Sequence, residues 1–139
     1  MTIPAQSETG DWKNDDSLSE IWKFRFRFFD TYGVPEAAGI SPELMAGFKA
    51  LSLVDRIRLA VNGYAFFFTF LYIAFVLKLW RQGVVLFAIA VGFLLLAAFL
   101  NLSEPAMHGL LLGYCICVAL RANSLYYICR TQGDIGWKI

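Results

Sequence analysis

The chain has 139 residues, 58% apolar and 17% aromatic, with mean hydropathy +0.57 and formal net charge +1. A soluble domain of this length keeps its apolar content nearer half and spreads it evenly, whereas here it is gathered toward the C-terminus. With near-neutral charge and no basic run, nucleic acid is excluded as an expected partner.

The opening MTIPAQSETGDWKNDDSLSE is polar and acidic, unlike a secretory signal or transit peptide. The first apolar stretch is therefore expected to serve as its own insertion signal. Residues 1–16 lack apolar periodicity and read as a disordered polar tail. Ser17-Leu18-Ser19-Glu20 has the form of a capping box, opening an amphipathic helix that runs to Tyr32. Ile21, Trp22, Phe26, Phe28, Phe29 and Tyr32 share its broad apolar face, while Glu20, Lys23, Arg27 and Asp30 fall opposite. The interleaved bases and aromatics of Trp22–Phe28 could suggest a single-strand binder, but helical periodicity accounts for them. So aromatic a face is expected to pack on the chain's own membrane domain or lie at the headgroup boundary. Arg25 falls inside it. Either its long stem carries the guanidinium to water or lipid phosphate, or it pairs with a carboxylate or an aromatic ring.

Gly33 and Pro35 end this helix. Ser41-Pro42-Glu43 starts a second, with serine as N-cap and proline where its missing N–H costs nothing. Ser52-Leu53-Val54-Asp55 offers a third cap, and the helix after it carries Arg56 and Arg58. Residues 17–58 are thus expected to form amphipathic interfacial helices.

The membrane signal follows. Leu59 to Leu77 is 19 residues without a charge, and Gln82 to Ser103 is 22. Both approach the roughly 20 residues that cross about 30 Å of hydrocarbon. Pro105 to Leu120 is 16 residues, but continues past Arg121 to Cys129 through Tyr126 and Tyr127, residue types that sit at the headgroup level. Backbone polar groups must be satisfied within lipid, so helix is the expected conformation throughout. The expected fold is all-α: three membrane helices at about 59–80, 83–103 and 105–129 within a domain over 59–130, and a C-terminal tail over 131–139. The short Lys78–Gly83 turn makes the first two a tight hairpin with Trp80 at the water boundary. Two crossings, with the third stretch dipping in or lying flat, fit the distribution of Lys and Arg better. Length favours three, and the N-terminus is expected in the cytoplasm because nothing in its sequence favours export.

Several residues carry a resemblance. Trp22-Lys23-Phe24-Arg25-Phe26, Asn62 with Ala65-Phe66 and Tyr72, Trp80-Arg81-Gln82-Gly83, and Ala122-Asn123 with Tyr126-Tyr127 and Gly136-Trp137 occur in the order seen in small bacterial inner-membrane proteins. The chain resembles a domain-of-unknown-function family of the YigF and YigG type over about residues 18–137. It departs where that family leads one to expect glycine and proline after Phe68, since Thr69-Phe70 stands there. The resemblance implies a multi-pass protein of the bacterial cytoplasmic membrane, with no established activity and no catalytic residue to carry over.

Polar residues inside apolar segments are functional candidates by default, because burying them is costly. Here they are Asn62, His108, Arg121 and Asn123. Glu104 and His108 are four apart and could share a face, yet one histidine and one carboxylate leave a metal under-liganded. The three cysteines form no Cys-x-x-Cys pair and read as small hydrophobes. No nucleophile–base pair or phosphate-binding glycine loop is present, so no catalytic residue, cofactor or metal is expected. Trp22, Arg25, Trp80, Tyr126 and Tyr127 are the expected interfacial residues. Gly109, Gly113 and Cys117 repeat every four residues, a spacing that lets another helix approach closely, whether from this chain or another copy. The expected role is a non-enzymatic scaffold or accessory subunit, bound to the bilayer and to another membrane protein or itself. The alternative is an oligomeric lipid or small-solute carrier, which requires Asn62, His108, Arg121 and Asn123 to line one cavity.

Overall fold

The computed structural model of the protein describes residues 12–35, 39–133 and 135–139, and its regular structure is helical, with no strand among them. A short 3₁₀ turn, Trp12–Asn14, precedes α1 (Glu20–Tyr32), α2 (Pro42–Ala50), α3 (Leu53–Ala60), α4 (Gly63–Leu71), a π-helical turn (Tyr72–Val76), α5 (Trp80–Phe99) and α6 (Glu104–Gln132). Ser41 and Ser52 cap α2 and α3 as their positions suggest, accepting from the backbone N–H of Leu44 and Asp55. The capping box does not form. Ser19 is the N-cap of α1 without a side-chain bond, and the Ser17 hydroxyl instead turns back to Asp15.

Residues 1–11 of the expected tail lie outside the described residues, but its last part is not a tail. Trp12 is buried, and Asp15 pairs with Arg130 at 2.6 Å. The aromatic face of α1 closes over the C-terminal half of α6. Phe26 is fully buried, its ring 5.1 Å from Tyr127 and 5.6 Å from Trp12, and Trp22 sits 4.7 Å from Tyr126. Of the two expected positions for this face, packing on the membrane-type domain is the one adopted.

Three stretches are long and apolar enough to cross a membrane: Leu53–Val76, Trp80–Phe99 and Glu104–Gln132. Two of them, α5 and α6, are continuous and antiparallel, joined by Leu100–Ser103 with Asn101 at φ 48. The Leu53–Val76 stretch is not one rod. Val61 and Asn62 are extended between α3 and α4, and Thr69 has φ 43, ψ −122 within α4. Beyond that point Tyr72 returns to the start of the segment. Its ring stacks on Tyr64 with centroids 5.9 Å apart, and its hydroxyl is 3.5 Å from the Asn62 amide nitrogen. Ten residues of straight helix rise about 15 Å, farther than those two side chains can reach, so the chain folds back at Thr69.

The depth of the fold-back follows from its contacts. Phe70, next to Thr69, sets its ring 5.0 Å from that of Phe87, and close by the Tyr114 hydroxyl donates to the Leu86 carbonyl at 3.0 Å. Leu86 is six residues into α5, or about 9 Å of helix rise, and α5 continues about 20 Å beyond it. The returning limb packs tightly: a β-carbon on Gly83 would stand 2.5 Å from that of Ala74. Only glycine fits there. The expected tight hairpin therefore has one straight limb, α5, and one folded limb.

Candidate functional site

The break between α3 and α4 exposes backbone groups that a continuous helix would pair internally, and leaving them unpaired in an apolar setting would cost several kcal/mol in all. Side chains from two other helices satisfy them. Asn123, 1% exposed on α6, donates its amide to the Leu59 carbonyl at 2.9 Å and accepts from the Asn62 side chain at 3.1 Å. Asn62, 2% exposed, caps α4 through Ala65 N–H, and its own N–H donates to the Ala119 carbonyl at 3.1 Å.

Arg25 completes the arrangement from α1. Its Nε donates to the Arg58 carbonyl at 2.9 Å and a terminal nitrogen to Val61 at 3.4 Å, while the guanidinium lies 4.6 Å from the Trp22 ring. The C-terminal end of a helix carries partial negative charge, so a cation there is favourable. Burial lowers the Arg25 pKa to about 10, which leaves it charged at neutral pH. Of the partners expected for Arg25, the aromatic ring is present. Backbone carbonyls take the place of a carboxylate. No buried side-chain nitrogen or oxygen among the described residues lacks a hydrogen bond.

The other polar candidates do not join this latch. Arg121 donates to the Pro35 carbonyl at 2.8 Å. His108 and Glu104 are exposed in the first turns of α6, at the opposite end of that helix. Asn62 and Asn123 thus converge on each other, and His108 and Arg121 lie elsewhere. No group of three metal-ligating side chains occurs among the described residues. Of the five residues expected at the interface, Arg25 and Tyr127 are buried and Trp22 and Tyr126 half-buried in the aromatic cluster. Trp80 is exposed, with its ring edge-on to Trp137.

Beside the latch, an open apolar groove of about 970 Å³ runs along α6. Leu44 and Phe48 of α2, Ile89 and Phe93 of α5, and Gly109, Gly113 and Cys117 of α6 line it, with Arg121 at its edge. Apart from the adjacent backbone of α6 itself, nothing in the described chain comes within 4 Å of where a β-carbon on Gly109 or Gly113 would stand. The small-residue stripe therefore makes no intramolecular helix contact at its glycines.

Sequence reasoning missed two participants. Gln82, 3% exposed, donates to the Gly136 carbonyl at 2.7 Å and ties the start of α5 to the C-terminal segment. Tyr72 closes the fold-back. A glutamine opening an uncharged run was the available signal for Gln82. Nothing local marks Tyr72, whose partners are eight and ten residues away.

Residues 6–131 match the family described as Protein of unknown function (DUF2628). The chain is 36% identical over 132 residues to the Uncharacterized protein YigF of Escherichia coli (strain K12), covering 93% of this chain and 98% of that one. It is 32% identical over 131 residues to the Uncharacterized protein YigF of Salmonella typhimurium (strain LT2), with the same coverage, and to that of Salmonella typhi at the same identity. No solved structure matches. The chain belongs to the DUF2628 family, in agreement with the resemblance in its sequence.

Proposed function

We propose that this DUF2628 member is a non-enzymatic accessory subunit of the bacterial cytoplasmic membrane, which receives a helix of another membrane protein, or of a second copy, in the groove along α6. The observation that carries this reading is the open ground at Gly109 and Gly113 on a wall of the groove. Lipid offers no hydrophobic drive for helices to associate, so close backbone approach at small residues is the main source of affinity available. The carrier reading loses its support, because Asn62 and Asn123 are spent on each other and on backbone groups while His108 lies apart from them. Membrane residence is supported by the three qualifying stretches and by Leu95, Phe99 and Phe67, all strongly exposed.

The test uses tagged full-length protein crosslinked in membranes and purified in mild detergent. The wild type and Leu111→Ile should yield the same discrete crosslinked species, with another membrane protein or with itself. Gly113→Leu, which fills the groove without touching the latch, should lose that species and keep its thermal stability. An unchanged crosslinking pattern in Gly113→Leu would remove the groove as a docking surface.

A further inference from the structure

The geometry points to a protein that crosses its membrane twice: the Gly63–Val76 segment enters and leaves through one face, and all the basic side chains gather on that face, against the headgroups of the cytoplasmic leaflet. α5 has 20 residues, about 30 Å of helix and a full hydrocarbon thickness. Beside the turn at Thr69, the Phe70 ring meets Phe87 of α5, only about 10 Å below Trp80. The segment's entrance and exit lie at the same end of the molecule. Asn62 is bound to Ala119 and Asn123 in the C-terminal half of α6, and Gln82, just after the return, is bound to Gly136 beyond that helix.

Non-helical backbone at membrane depth is tolerated only where protein buries it. That is the role of the contacts that Arg25 and Asn123 make with Arg58, Leu59 and Val61, and of those that Asn62 makes with Ala65 and Ala119. They satisfy the break at which the chain turns inward.

Charge gives an independent reading. Of twelve Lys and Arg, seven precede Val61, Lys78 and Arg81 flank the return, and Arg130 and Lys138 lie toward the C-terminus. Arg121 reaches the N-terminal portion of the fold through Pro35. The opposite end of the α5–α6 hairpin, Leu100–Ser103, has none, and Glu104 follows it. Two crossings therefore place every basic residue on one side, the arrangement that orients a protein with that side in the cytoplasm. Three crossings would split them seven to five. The exposed apolar residues of α3, Leu53, Val54 and Ile57, then face the acyl boundary of that leaflet, with Arg56 and Arg58 on the same helix at phosphate level.

Two measurements on the full chain test this. Epitope tags are placed at both termini of the otherwise wild-type protein, and sealed spheroplasts are treated with protease. Both tags should be protected, and both should be cleaved in inverted vesicles. Opposite accessibility would overturn the proposal. The second measurement identifies which segment fails to cross. Single cysteines at Lys13, Lys78 and Ser103, in a chain with Cys115, Cys117 and Cys129 replaced by alanine, are labelled with a membrane-impermeant maleimide. Lys13→Cys and Lys78→Cys should label only from the cytoplasmic side, and Ser103→Cys only from outside. Lys78→Cys labelling on the side opposite Lys13→Cys would restore a crossing first segment. Ser103→Cys sharing the side of the other two would remove the α5–α6 crossing.

Discussion

Thr69 is where one residue decides the shape of a segment. A β-branched side chain at φ 43 is held against its own preference, at a cost of about 1–3 kcal/mol that surrounding contacts must offset. Thr69→Gly should therefore raise stability by about 1 kcal/mol or more, measured as thermal or denaturant unfolding in detergent. In a straight helix the same change would lower it by several tenths, so a loss would argue against the fold-back. That Thr69 stands where the family resemblance leads one to expect glycine is consistent with its backbone. The Asn62–Asn123 contact makes a second claim at this scale. Asn62→Ala and Asn123→Ala each leave buried partners unpaired and should cost about 1–3 kcal/mol. Because they share one contact, the double variant should cost less than the sum by at least about 0.5 kcal/mol. Strict additivity would mean that the two amides do not interact. Both asparagines stood out in the sequence as polar residues in apolar surroundings. Their pairing did not, since it joins positions 61 apart.

At the scale of the elements, α1 was legible in its periodicity, and the structure gives its aromatic face a definite partner. Phe26 meets Trp12, Trp22, Tyr126 and Tyr127 and has no exposure, whereas Phe67 on α4 is 78% exposed. Phe26→Ala should cost about 3–5 kcal/mol and Phe67→Ala little, in the same detergent unfolding experiment. Equal losses would mean that α1 does not pack as described. The starts of α2 and α3 were readable from Ser41 and Ser52 because capping is local chemistry. The capping box expected at the start of α1 does not form, because Ser17 has a competing local partner in Asp15, whose carboxylate the Ser17 hydrogen bond and Arg130 together hold near pKa 2. Hydropathy alone could not show that Leu59–Leu77 is broken. Its composition is that of a crossing helix, and the interruption is stabilised by Arg25 and Asn123, from far away in sequence.

For the whole molecule, the sequence conveyed an all-helical, membrane-type chain with a polar beginning, and left the path of its first apolar segment to tertiary contacts. Those contacts bind α1, the α3–α4 break and the C-terminal half of α6 into one unit around Asn62 and Asn123. Were the first segment a straight crossing helix in a three-crossing protein, Asn62 would lie near one membrane face and Asn123 near the other, on the order of 20 Å apart. The most direct test is therefore intramolecular crosslinking of Asn62→Cys with Asn123→Cys, using a short bismaleimide on membranes, with the three native cysteines replaced and the product read by intact mass. Efficient single-chain crosslinking is expected, and it should be absent when either cysteine is omitted. Folded, extractable protein that carries both cysteines and forms no such crosslink would contradict it.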